Sequence, residues 1–253
     1  MKKTATLLSV LGLAAVLAGP AFAATLMTED FSYSNGNLAI APSVSGGNWL
    51  SHSGTSGTDI QCTGGMAVGS MAQAYDDNHP FLPAQGATAK TYACFRVLIP
   101  GGPGSTPRTN FFAHFSDGGT STFTARVFVA PMGTSFSFGL STFSATMNVQ
   151  WPTALNYDQW YNLMLKYDAA AGTSELWVDP LSEASAKISA AASTGSAGNT
   201  VSSFALRQST GGTGNLWSFN VDDIAVGTTF ESICPAPTPV NGSTWGRLKV
   251  LYR

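Results

Sequence analysis

The stretch from Tyr157 to Pro180 restricts the fold most. Within it Tyr161, Leu163, Leu165 and Tyr167 alternate with Trp160, Asn162, Met164 and Lys166, the period-2 pattern of a strand. Asp168 to Thr173 then reads as a turn, with Gly172 free to take a positive φ. From Glu175 to Asp179 a second strand alternates Leu176 and Val178 with Glu175 and Trp177, and Pro180 stops it because proline has no N–H to pair. Two strands joined by a tight turn pair antiparallel, so the chain must supply further strands to cover this apolar face.

Further strands are readable at 26–33, 60–62, 66–70, 91–99, 110–116, 122–130, 134–141, 201–209 and 216–226, separated by Gly, Ser, Thr and Asn turns. Residues 38–58 read as a Gly/Ser-rich loop around Trp49, 75–80 as a polar loop, and 181–192 as a loop or one short turn. About a dozen short strands without βαβ spacing predict an all-β, antiparallel two-sheet jelly-roll sandwich, with a barrel as the alternative. In the last strand Trp217, Phe219 and Val221 share one parity while Ile224 and Val226 take the other. Either an extra residue sits near Asp222–Asp223 as a β-bulge, or the strand is buried on both faces.

The ends read differently from the middle. Lys2 and Lys3, the apolar run Leu7–Leu17 and the small residues of Ala21-Phe-Ala23 make residues 1–23 a signal peptide. No later stretch approaches the roughly 18 apolar residues of a spanning helix. The expectation is therefore an exported protein, extracellular or at the cell surface, with its sandwich over 24–234. All 14 acids lie in 24–234 against seven of the twelve Lys and Arg, whereas 235–253 carries Arg247, Lys249, Arg253 and no acid. Residues 235–243 form a Pro/Thr linker, and 244–253 a basic-aromatic tail that can serve for sorting or anchoring. Lys and Arg are scattered rather than clustered in sequence, which argues against nucleic acid. Three cysteines are one too many for a single bridge. Cys62 with Cys94 is the expected pair, because both lie in strand-like segments and Cys234 lies at the domain edge.

The run from Trp160-Tyr-Asn-Leu-Met-Leu-Lys-Tyr-Asp168 through its turn to Glu175-Leu-Trp-Val-Asp179 resembles the hallmark of the laminin-G-like, concanavalin A-like jelly roll. Glu29-Asp-Phe31 and Val221-Asp-Asp-Ile224 are similar to the terminal strands of such domains and of jelly-roll carbohydrate-binding modules. The likeness covers roughly 26–232 and extends to secreted bacterial proteins of this class. The tail, Thr244-Trp-Gly-Arg-Leu-Lys-Val-Leu-Tyr-Arg253, looks like a C-terminal motif of exported bacterial proteins. The resemblance implies a structural Ca²⁺ where the terminal strands meet, held by Glu29, Asp30, Asp222 and Asp223, since Ca²⁺ takes about 6 to 8 oxygens. Asp76, Asp77 and Asn78 make a second oxygen-rich patch.

Other chemistry is thinly represented. Jelly-roll glucanases place their acids as E-x-D-x-E or E-x-D-x-x-E on one strand, and Glu175, Asp179 and Glu183 do not match that spacing. There is no G-x-S-x-G or H-E-x-x-H, and His52, His79 and His114 share no ligand spacing. Trp49 and Trp151 lie in loop-like segments, where an exposed indole can stack on a sugar ring. The expected function is thus a non-catalytic, lectin-like carbohydrate-binding domain for an extracellular glycan or cell-surface component. The alternative is a structural or adhesive surface protein without glycan affinity. A polysaccharide-active hydrolase or lyase ranks third.

Overall fold

The computed structural model describes residues 23–101, 108–209 and 217–234. The expected signal segment, apart from its last residue, and the whole of the linker and tail lie outside the described residues. Among the described residues sixteen strands occur in chain order: β1 (Thr25–Glu29), β2 (Gly36–Asn37), β3 (Leu50–Ser56), β4 (Gln61–Cys62), β5 (Ala67–Ser70), β6 (Ala74–Gln85), β7 (Lys90–Leu98) and β8 (Asn110–Ser116). They continue with β9 (Phe123–Met132), β10 (Ser135–Ser141), β11 (Val149–Gln150), β12 (Trp160–Asp168), β13 (Thr173–Val178), β14 (Lys187–Ala190), β15 (Val201–Arg207) and β16 (Ser218–Gly227), before one helical turn, α1 (Phe230–Ile233). Among the described residues no helix is long and apolar enough to cross a membrane.

The strands form two antiparallel sheets, a jelly-roll sandwich as the alternation predicts. The nine-stranded sheet runs β14-β13-β12-β7-β16-β5-β4-β2, with β1 also on β16; the seven-stranded sheet runs β11-β10-β9-β8-β15-β6-β3. The two strands predicted within 157–180 are β12 and β13, in register from Leu163 opposite Val178 to Asp168 opposite Thr173. Between the sheets Phe95 and Phe219 from one meet Phe112 and Phe204 from the other, at ring separations of 5.3 to 6.4 Å. Rings in such tilted and edge-to-face contact fill the roughly 10 Å between packed sheets.

The phase change in the last strand is a bulge. Asp222 lies opposite Arg96 of β7, the pairing then slips, and Ala225 lies opposite Cys94. Asp223 takes the extra position with φ of 50°. Phe219, Val221, Ile224 and Val226 all reach the core as a result. The two halves of β16 also take different partners on one side, β5 over 218–221 and β1 over 224–227.

Three loop expectations are corrected. The polar run at 75–80 is strand, part of β6, because its backbone pairs with β3 on one side and β15 on the other. The stretch 50–56 of the supposed Trp49 loop is β3, and 187–190 is the edge strand β14, paired to β13.

The cysteine pairing is also corrected. Cys62 is buried in the core between the sheets, its thiol facing the Phe31 carbonyl at 3.5 Å. Cys94 sits on β7 between the core residues Ala93 and Phe95, so it faces outward on the same sheet. Beneath α1 it hydrogen-bonds Cys234, in a small cluster with Tyr92, Met164, Trp177, Phe230 and Ile233. That bond pushes the Cys94 thiol up and Cys234 down to about 7. Opposite faces of one sheet cannot be bridged without backbone movement. Peptide mapping after oxidation is expected to give a Cys94–Cys234 linkage, with Cys62 alkylated only on unfolding; a Cys62–Cys94 linkage would contradict this arrangement.

Candidate functional site

The four acids of the terminal strands do approach the bulge, yet they do not make one oxygen shell. Glu29 ends β1 with its side chain inward and buried. It accepts hydrogen bonds from the Phe31 N–H (2.7 Å), the Tyr33 hydroxyl (2.7 Å) and the Trp49 indole N–H (2.9 Å). Burial, foremost, pushes the Tyr33 hydroxyl up to about 12. Asp30 is exposed and accepts from the Ser32 N–H at 3.1 Å, which holds its carboxyl below the usual value. On the outer side of the nine-stranded sheet Arg96 reaches both other acids, Asp222 at 2.6 Å and Asp223 at 3.0 Å, while its guanidinium lies 4.8 Å from the Trp160 ring centroid. An open depression of 350 Å³ is lined by Thr28, Glu29, Asp30, Asp223, Ile224 and Ala225. Among the described residues no three Asp, Glu, His or Cys side chains converge as a metal site would require. Three donors already occupy the Glu29 carboxylate and a guanidinium bridges two others, so these residues do not fit a calcium ion.

The two candidate tryptophans part company. Trp49 is fully buried, stacked on Phe31 at 5.7 Å and edge-on to His79 at 5.4 Å. It cannot receive a sugar, because its indole is the donor that satisfies Glu29 inside the fold. Trp151 follows β11 at the edge of the seven-stranded sheet and is half-buried against the core. Its main chain is fixed on both sides, the N–H to Phe138 and the carbonyl accepting from Ser137 Oγ at 2.7 Å.

The acids weighed for glycoside hydrolysis are committed elsewhere. Glu175 contacts Lys166 at 2.8 Å and Lys187 at 2.7 Å. Burial raises its pKa, but the hydrogen bonds from the two lysines outweigh burial and leave the carboxyl below its ordinary value. A general acid needs the opposite shift. Asp179 is exposed and accepts from the Asn162 N–H at 2.8 Å.

Asp76 and Asp77 point to opposite faces of β6. Asp77 faces inward and is fully buried beside Asp59, which accepts the Ala39 and Ile40 N–H groups at 2.9 Å each. Burial first, and then the Asp59 charge, push Asp77 up to about 9. At neutral pH it is therefore protonated and donates to Asp59. Asp76 faces outward, where burial lifts it to about 6 against the lowering effect of Arg207 and Ser53.

That outward side of the seven-stranded sheet is the arrangement the linear sequence conceals. Strands β3, β6, β15, β8 and β9 bring together His52, Asp76, Asn78, Arg207, Phe111, His114, Phe123 and Arg126. Arg126 and Arg207 both lie over Phe111, at 4.9 and 4.1 Å, and Arg126 is 5.6 Å from Phe123. His114 is fully buried against Phe123 at 4.3 Å, and His52 is 6.1 Å from it. Burial above all holds both imidazoles below their usual pKa, His114 far below. His52 Nε2 meets the Gly119 carbonyl, while His52 Nδ1 and both ring nitrogens of His114 have no partner among the described residues. Arg207 bonds Asn110 at 3.1 Å and lies 3.4 Å from Asp76, which accepts from Ser53 at 2.8 Å. The one legible signal was Arg126 between the core residues Ala125 and Val127, which puts it on the outer face. Its neighbours come from strands distant in sequence.

No protein-family model matches the chain, and no curated protein sequence matches it either. Solved structures that it resembles include a sialidase, at 12% identity and TM-score 0.49 over 81% of this chain; the chain spans 19% of that protein's length. The CBM2 module of an evolved Dit from Lactobacillus casei BL23 phage J-1 is similar at 14% identity and TM-score 0.47, over 81% of this chain and 96% of the module. Winged bean acidic lectin is similar at 8% identity and TM-score 0.48, over 79% of this chain and 97% of the lectin. Likenesses this distant carry no residue role across.

Two outcomes follow from the buried carboxyls. Trp49→Phe keeps the ring stack but leaves Glu29 short of a donor, so urea unfolding should show a loss of about 1–3 kcal/mol. Asp77 holds a proton in the folded state at pH values where the unfolded chain, with an ordinary aspartate pKa of about 3.9, has lost it. Its contribution is fully present below pH about 4 and falls as pH rises toward 9. Thermal melts from pH 5 to 9 should therefore show wild-type stability declining relative to Asp77→Asn.

Proposed function

We propose that this protein is an exported, lectin-like carbohydrate-binding domain, and that it meets glycan on the outer side of its seven-stranded sheet. The observation that carries the reading is the composition of that face. A sheet face turned to water ordinarily bears long charged side chains. Here the Phe123 ring, the Asn110 amide and the Ser53 hydroxyl are partly exposed, around a buried layer of Phe111, Asn78 and the mutually bonded Ser116 and Ser203. Sugar rings offer an apolar C–H face for stacking and hydroxyls for hydrogen bonds, and this face supplies both kinds of partner. Phe123 is the partly exposed ring, and Trp151 stands at the edge of the same sheet. A binding role is favoured over a hydrolytic one because Glu175 is tied to two lysines. Export is supported by the sequence of residues 1–23.

Glycan-array binding by the secreted protein tests the reading. Saturable binding to one sugar class is expected, with Phe123→Ala weakening it by about tenfold, the scale of one lost aromatic contact. Trp49→Phe should leave binding unchanged once the folded fraction is accounted for, since Trp49 is internal. An array without binding would remove the proposal. EDTA should alter neither binding nor melting temperature, because the acids near the bulge are already bonded to protein groups.

A further inference from the structure

Resting on the glycan-binding reading, we propose that the cluster around Arg126 is a subsite for an acidic sugar, with the guanidinium receiving a carboxylate or sulfate.

Arg126 carries a charge without a counter-charge among the described residues. Arg126 is 8% exposed. Its Nε donates to the Phe123 carbonyl at 3.3 Å, and no acid lies within ion-pair distance of it among the described residues. Lys90, Arg96, Lys166, Lys187 and Arg207 each have an acid partner. Arg108, which is exposed, is the other described cation without one. An unpaired charge is tolerable at an exposed position and costly at a buried one.

The neighbours of Arg126 add to that cost instead of relieving it. Arg207 shares the Phe111 ring with it, placing two guanidinium groups on one benzene face system. Asp76 is engaged with Arg207 and Ser53, not with Arg126. Desolvation and the Arg207 charge bring Arg126 down to about 10, which still leaves it cationic at neutral pH. Beneath lies His114, neutral and fully buried, whose ring nitrogens, like His52 Nδ1 beside it, have no partner among the described residues. A buried polar side chain without partners, next to a buried cation without an anion, is what a site looks like when its partner comes from outside the chain.

The chemistry of that partner follows from the donors. A planar guanidinium held between rings matches a planar carboxylate in two parallel hydrogen bonds, and it also accepts sulfate oxygens. The partly exposed Phe123 ring, 5.6 Å from it, gives a sugar a stacking surface, and Asn110, bonded to Arg207, gives a polar contact. The neighbouring turn over 117–121 is exposed and carries Asp117, whose charge acts on His52 and not on Arg126. Neutral glycan would leave Arg126 uncompensated, so the acidic group should decide the affinity.

The test is calorimetry with three probes: a hexuronate oligosaccharide, its carboxyl-reduced neutral counterpart, and a sulfated neutral oligosaccharide. At least one acidic probe should bind about tenfold or more tightly than the neutral one, the scale of a charge-assisted hydrogen bond. Which acidic probe binds identifies the group. Arg126→Gln should remove that preference without lowering the melting temperature, since it removes a buried unpaired charge. Arg126→Lys, which keeps charge but not the planar fork, should fall between. Equal binding of neutral and acidic probes, unchanged by Arg126→Gln, would overturn the acidic-sugar subsite and leave glycan binding standing. Binding of none of the three, together with an array without binding, would remove both. A sharp loss of melting temperature in Arg126→Gln with the acidic preference intact would make Arg126 a structural residue.

Discussion

The bulge at Asp222–Asp223 is the constraint on which the nine-stranded sheet depends. A strand turns alternate residues to one side, so ten regular residues cannot put Phe219, Val221, Ile224 and Val226 on the same face. One extra residue resets the phase. It also lets β16 hold β7 along one edge and β5 followed by β1 along the other. The residue that absorbs the slip is Asp223, at φ 50°, and short polar side chains tolerate that region better than branched ones. Arg96 then ties the displaced pair of acids back to β7.

A chain with only 10% charged residues has few ways to satisfy polar groups inside, and it uses carboxyls for the purpose. Glu29 gathers a main-chain N–H, a phenol and an indole at the edge of the core. Asp59 holds two main-chain N–H groups of the 38–40 segment and takes a proton-mediated bond from Asp77. Both arrangements fix loops that have few apolar side chains to anchor them. Glu29 and Asp77, which look like ligands in the sequence, are thus partners of internal groups in the fold.

The two outer faces of the sandwich are finished differently. On the nine-stranded sheet the outward cations are matched: Arg96 with two aspartates, Lys166 and Lys187 with Glu175, and the remaining apolar surface lies under α1. On the seven-stranded sheet two guanidinium groups and two imidazoles face two acids, Asp76 bonded to Arg207 and the exposed Asp117 near His52, and Arg126 has no acid partner among the described residues. This asymmetry is the feature that sets that face apart from an ordinary solvated sheet surface.

Local pattern alone determined the class of fold. The alternation of Tyr161, Leu163, Leu165 and Tyr167, the turn at Gly172 and the parity switch after Val221 are short-range properties, because side-chain direction along a strand has a fixed period of two. What only the tertiary structure decided is which distant strands lie side by side. Trp49 reads as a loop tryptophan until β1 brings Glu29 beneath it. Asp76 and Asp77 read as a solvated pair until β3 and β15 flank them and send one to each face. Cys94 finds Cys234 because α1 folds over the outer sheet, while Cys62 faces the core. His52, His114, Arg126 and Arg207 converge through the order β3-β6-β15-β8-β9, and strand order is set by how the whole apolar surface is best buried, which no local stretch encodes.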